Sequence, residues 1–145
     1  MVVVLIEVDK GSISMSKKLP RPTEGELVIL RVLWAHPGPM TVREVHRVLS
    51  RGKDTAYTTV LKMLSIMADK GLVRRDEAER SHTYTATQAE AVVQASLLKD
   101  LIRRAFSGSA VNMMQHALDN EIASEADLKA IADLIARAKA KRKTE

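Results

Sequence analysis

The chain has no cysteine. That absence excludes disulfides, thiolate metal sites and cysteine nucleophiles together, and it fits a reducing cytoplasm. Aromatic residues are nearly as scarce, with one Trp, two Tyr and one Phe among 145 residues. Any core must therefore be built from Leu, Ile, Val, Met and Ala. There is no long apolar run either. The opening "MVVVLIEV" is too short to span a bilayer, and it lacks the basic region that precedes the apolar part of a signal peptide. Residues 1–16 read as a leader, either a short extra strand or a disordered segment, with Met15 an alternative start. No Ser/His/Asp set, P-loop, nucleotide-binding glycine pattern or HExxH motif occurs, so nothing points to an enzyme or to a cofactor.

What is present suits one domain, or a small domain with an appendage. Hydrophobic residues make up 46% of the chain, enough to bury a core, and the formal net charge is +5 with a pI near 9.6. The positive excess is concentrated. Residues 17–87 hold 13 Lys+Arg against 8 Asp+Glu, residues 1–16 hold 1 against 2, and residues 88–145 hold 9 against 8. A basic middle segment suits a polyanionic partner.

Periodicity orders the chain. Thr23 with Glu26 has capping-box spacing and opens a helix whose apolar stripe is Leu27, Leu30, Val32, Leu33 and Trp34. "HPGP" ends it, because two prolines and a glycine cannot continue a helix. Thr41 with Glu44 opens a second helix, with Val42, Val45, Val48 and Leu49 facing inward. After "RGKD" comes "DTAYTTVLKMLSIMADKGLVRR", a third helix stopped by Gly71. Wound at about 100° per residue, it sets Tyr57, Val60, Leu61, Leu64, Met67 and Ala68 on one face and Thr58, Lys62, Ser65 and Asp69 on the other. "LVRRDEAERSHTYTA" then alternates as strand, polar tip and strand, a basic β-hairpin. From Gln88 onward three more helical stretches follow, the last capped by Ser124 with Asp127. Their apolar stripes have few places to go within one chain, and pairing with a second copy is the simplest solution.

Helix, helix, turn, helix and basic hairpin is the order of a winged helix-turn-helix. The fold class expected is mainly α with a small β-hairpin, a winged helix-turn-helix domain over 17–87 followed by a helical dimerisation region over 88–145. In such motifs the second of two crossing helices enters the major groove and reads bases with its N-terminal residues. Threonine is a mediocre helix former, so its crowding into that first turn needs a reason. Short hydroxyl side chains let the backbone approach a duplex, meet thymine methyls, and bond base edges or phosphates.

On this reading Thr55, Thr58, Thr59 and Lys62 are base and phosphate contacts on double-stranded DNA, with Ser65 one turn further along. Thr23, Thr41 and Arg43 stand at helix starts and are candidate phosphate contacts, the two threonines also serving as caps. Of the hairpin cations Arg74, Arg75, Arg80 and His82, the last two alternate onto one face and are favoured, since the tip "DEAE" is acidic. Tyr57 is expected to pack on the core, Tyr84 is either core or contact, and the Met113-Met114 pair is core or dimer interface. The histidines make no metal-ligand spacing, although His82 lies near Asp76, Glu77 and Glu79. The alternative is a winged-helix protein-interaction module without specific DNA binding. Against it, a protein-docking face would normally carry large apolar anchors.

"TEGELVILRVLW", "TVREVHRVL", "DTAYTTVLKMLSIMADKGLVRR" and "RSHTYTA", in that order and spacing, resemble the penicillinase-repressor (BlaI/MecI) family. The resemblance implies a homodimeric repressor in the cytoplasm. Each winged-helix domain would bind half of an inverted-repeat operator controlling resistance or envelope-stress genes, often beside a membrane metallopeptidase that senses the inducer. Two departures matter. Copper-responsive members carry a C-terminal cysteine cluster, and without cysteine thiolate copper sensing is out. Proteolytically induced members are cut between Asn and Phe early in the first dimerisation helix, where this chain reads Asp100-Leu101.

Overall fold

The structure is a computed structural model describing residues 21–144. The expectations for residues 1–16 lie outside the described residues. The described chain falls into two units that divide after Ala95.

In the first unit, helix α1 (Glu24–Ala35) starts at Thr23 in a full capping box, as its spacing predicts. Strand β1 (Met40–Thr41) follows the His36–Pro39 break and runs straight into helix α2 (Val42–Leu49), whose N-cap is Thr41 with Glu44 completing the box. Helix α3 (Tyr57–Lys70) ends at Gly71, which adopts φ 82°. This left-handed conformation costs a side-chain-bearing residue energy and glycine little. Strands β2 (Val73–Asp76) and β3 (Thr83–Ala86) form the expected antiparallel hairpin, with Arg75 opposite Tyr84.

The sheet has a third strand that periodicity does not reveal. β1 pairs antiparallel with β3, Met40 opposite Tyr84 and Thr41 opposite Thr83, giving the order β1-β3-β2. Two residues are too few to display an alternation.

The core joins all these elements. Ile29, Leu30 and Leu33 of α1, Val42 and Val45 of α2, and Val60, Leu64 and Met67 of α3 are buried with Met40, Leu72, Val73 and Tyr84. Each large side chain fully buried there is worth about 1.5–3 kcal/mol. Tyr84 is thus core, at 1% exposure. The other end of the unit is fastened by the Trp34 indole N–H donating to the Gln88 carbonyl at 3.0 Å, and by Thr87 Oγ1 donating to the Gly71 carbonyl at 2.7 Å.

One expectation about α3 is overturned. Tyr57 and Leu61 share its apolar arc in the sequence, yet both are open to solvent, at 43% and 41% exposure. The helix meets the core along Val60, Leu64 and Met67, a stripe narrower than the apolar arc. Tyr57 and Leu61 lie along its edge.

Helix α4 (Glu90–Ala105) begins in the first unit, where Val93 is buried, and continues into the second, which holds helices α5 (Ala110–Asp119) and α6 (Glu125–Lys143). Ser109 caps α5, and Ser124 with Asp127 boxes α6 as expected. Ser107 and Gly108, at φ 50° and 84°, make the turn after α4, and the Phe106 ring lies 5.5 Å from that of His116. Asp100 pairs with Arg103 and Arg104 within α4. Among the described residues of this unit none is buried, and Met113 and Met114 are half-buried. Among the described residues no helix is long and apolar enough to cross a membrane.

Candidate nucleic-acid interface

Helix α3 opens without a side-chain cap. Its N-cap is Ala56, which has no group to offer the first backbone N–H donors. Thr58, Thr59 and Lys62 are exposed on the face opposite the core stripe, and Ser65 is half-buried one turn further on. Thr55 precedes the helix, half-buried, and its hydroxyl donates to the Lys53 carbonyl at 3.1 Å. The hydroxyl-rich turn is therefore presented outward with the positive end of the helix behind it.

Beside it lies a concavity between the start of α2, the first turns of α3 and the hairpin. Thr41, Val42, Arg43, Tyr57, Leu61, Arg80, Ser81, His82 and Tyr84 line it. Four of the sequence-derived candidates, Thr41, Arg43, Arg80 and His82, are thus brought together. Tyr57 and Leu61 form its apolar part; sequence reasoning assigned them inward, and only their position at the edge of the stripe hinted otherwise.

The charges in this region are unevenly committed. Arg75 lies 3.5 Å from Glu77, and His82 lies 3.9 Å from the same carboxylate. A hydrogen bond with Tyr84, then the charge of Glu77, push the Arg75 guanidinium above its ordinary value. Arg43, Lys62 and Arg80 have no ion pair among the described residues. Of the two hairpin residues favoured by alternation, His82 approaches Glu77 and Arg80 has no ion pair among the described residues; Arg74 has none either, whereas Arg75 is engaged by Glu77 and Tyr84. Among the described residues no three His, Asp or Glu gather as metal ligands, the surroundings of His82 included.

The two capping threonines are placed differently. The Thr41 backbone N–H donates to Glu44 Oε1 at 2.9 Å, and this bond is the main reason the Glu44 carboxyl is held below its usual range. Thr41 nevertheless borders the concavity. Thr23 does not. Its neighbour Glu26 is buried and accepts from Lys70 Nζ at 2.7 Å, so Thr23 stands near the C-terminal end of α3. With a rise of about 1.5 Å per residue, the length of α3 separates Thr23 from the hydroxyl-rich turn. The structure gives Thr23 a capping role and does not gather it with the other candidates.

One residue passed over in the sequence holds the α2–α3 junction. His46, on α2, donates through Nε2 to the Thr55 carbonyl at 2.7 Å, and its ring meets Tyr57 edge-on with centroids 5.7 Å apart. Only the position of His46 in the last turn of α2 could have flagged it.

A helix pair, a third helix presenting its first turn, and a hairpin wing with cations facing the same side define a winged helix-turn-helix protein. Residues 22–137 match the profile of the penicillinase repressor family. Over 120 residues the chain is 36% identical to the transcriptional regulator BlaI of Mycobacterium tuberculosis, covering 81% of this chain and 87% of that one. Over 127 residues it is 23% identical to the penicillinase repressor of Bacillus licheniformis, covering 88% and 98%. The solution structure of the DNA-binding domain of the repressor BlaI aligns with 52% of the chain and 92% of its own length, at 28% identity and a TM-score of 0.46. The chain belongs to the penicillinase repressor family.

Proposed function

We propose that the protein is a DNA-binding transcriptional repressor that acts as a homodimer on an inverted-repeat operator. The observation that carries the reading is the outward, uncapped first turn of α3 beside the uncommitted Arg43 and Arg80. Thr58, Thr59 and Lys62 read base edges, and Thr55 and Ser65 flank them. Thr41, Arg43, Arg80 and His82 hold the phosphate backbone, which fixes register without reading sequence. Tyr57 and Leu61 border those cations as the apolar part of the concavity.

The second unit supports dimerisation. Leu98 and Leu101 of α4, Val111 of α5, and Leu134 and Ile135 of α6 are 46–79% exposed. So many apolar side chains on three helices suit a second copy of the same helices, which would place two recognition helices about 34–36 Å apart on the duplex. The regulated genes are of the resistance or envelope-stress kind, with a membrane metallopeptidase as the sensing partner. Both are what the resemblance to the family implies. Asp100-Leu101 stands where Asn-Phe is cut in proteolytically induced members, which argues against release by cleavage at that bond.

The exposed Tyr57 and Leu61 are the one feature that favours a protein-docking wing instead. Their cationic surroundings suit a polyanion better. Fluorescence-anisotropy titration against promoter DNA from the protein's own gene neighbourhood and a scrambled duplex, at several salt concentrations, separates the readings. Tight, salt-steep, sequence-preferring binding of two protomers per site is expected. Equal weak binding to both duplexes would refute it.

A further inference from the structure

We propose that His46 is a positioning residue for DNA reading, setting the rotation of the first turn of α3 and hence which side chains reach the bases. The inference rests on the reading of α3 as the recognition helix.

The segment from α2 to α3, residues 50–56, is polar and mostly exposed, and it contains Gly52. Ala56 supplies no cap. The hydrogen bonds of Thr59 and Val60 N–H to the Ala56 carbonyl belong to the helix itself and say nothing of its phase relative to α2. Core contacts at Val60 and Leu64 fix the helix axis deeper in. Ahead of them, one side chain from α2 hydrogen-bonds this entry, and it is His46.

His46 grips the entry on both sides of Ala56. Its Nε2–H binds the backbone of Thr55 at 2.7 Å, and its ring packs edge-on against Tyr57 at 73°. Ser50 Oγ lies 3.2 Å from the same nitrogen. Holding residues 55 and 57 fixes the phase of residues 58 and 59, the next positions along. A side-chain tip stands roughly 5–6 Å from a helix axis, so a rotation of about 20° would carry it about 2 Å, beyond what a hydrogen bond tolerates. His46 touches no base on this account. It acts through Thr58 and Thr59.

The test uses the full chain, a duplex selected from a random pool by the wild-type protein, and a scrambled duplex of the same length. Dissociation constants for both are measured at several salt concentrations, with thermal melts alongside. His46→Ala is expected to lose about three- to tenfold of the preference for the selected duplex, the range of one hydrogen bond. Affinity for the scrambled duplex and the salt slope should not change. His46→Gln, whose amide N–H spans a similar distance, should restore most of the preference. An unchanged preference in His46→Ala, or an equal loss on both duplexes, overturns the proposal and leaves the recognition-helix reading intact. If the wild-type protein selects no preferred sequence, both fail together. Should His46→Ala not fold, His46→Gln and His46→Asn decide. Only the longer amide reaches Thr55, so the asparagine variant must lose preference while the glutamine variant keeps it, and equal behaviour overturns the proposal.

Discussion

The contact between Lys70 and Glu26 ties the far end of α3 to the start of α1, and its strength can be worked from its surroundings. Glu26 is 4% exposed and its Oε1 accepts both from Lys70 Nζ at 2.7 Å and from the Thr23 backbone N–H at 2.9 Å. Burial pushes its carboxyl up, but the Lys70 hydrogen bond, the Thr23 N–H and the Lys70 charge together hold it below its ordinary value of 4.5. Removing one partner of a fully buried pair costs about 3–5 kcal/mol. The Lys70 side chain is 31% exposed, so solvent screening lowers that figure, and the Thr23 N–H still supports the carboxylate in its absence. Lys70→Met is therefore expected to cost about 2 kcal/mol, between the buried and surface limits. In a Glu26→Gln background the same change should cost about 0.5 kcal/mol or less, because no buried charge is left behind.

Urea unfolding at fixed protein concentration, followed by the fluorescence of Trp34, measures the whole cycle. Trp34 is the only tryptophan and belongs to the first unit. The acid limb gives an independent check. A carboxyl whose folded value is depressed contributes stability that is fully present above its unfolded value, and that stability is lost as pH falls through the folded value. Wild-type protein should weaken as pH drops below the ordinary glutamate range, and Glu26→Gln should weaken less. Glu44, held low chiefly by the Thr41 N–H, leaves a residual slope in both. A Lys70→Met cost that is the same in both backgrounds would refute the pair as a coupled unit. So would identical acid limbs for wild type and Glu26→Gln.

Three further outcomes are expected. Arg80→Ala should weaken binding to every duplex and reduce the salt slope by about one, read by anisotropy across salt concentrations; an unchanged slope would remove Arg80 from the phosphate contacts. Thr59→Ala or Lys62→Ala should relax discrimination at particular base pairs by about 1–3 kcal/mol each, and a uniform loss across single-base operator variants would reassign them to the backbone. Ile135→Lys, at a side chain 51% exposed on α6, should shift sedimentation equilibrium toward monomer without changing helix content, and an unaltered dimer would place the contact elsewhere.

Much of the fold was legible because its start and stop signals are local. Thr23 with Glu26, Thr41 with Glu44 and Ser124 with Asp127 are spacings of three, and each forms its capping box. Gly71 stops α3 for a reason internal to one residue. Where a neighbour decides, the sequence was silent or misleading. Periodicity gives the width of an apolar arc but not what stands against it, so Tyr57 and Leu61 were turned inward when the concavity leaves them open. Nothing local singles out Lys70, because its partner lies 44 positions away. His46 was passed over for a similar reason, since its role depends on a loop that returns to it. The candidate site was legible in its residue types and in its α3 face. Its grouping was not, because the approach of Arg80 and His82 to Arg43 depends on how the hairpin folds back.

Thr41 belongs to two structures at once. It pairs with Thr83 in the sheet and caps α2 in the next peptide. The wing and the helix pair therefore have no loop between them to act as a hinge at this joint. On the proposed reading, a duplex meets the wing and α2 at a spacing already set, so little ordering has to be supplied at this joint at the moment of contact. The same joint makes the domain intolerant of insertions between residues 39 and 42, where even one added residue would put the strand and the helix out of step.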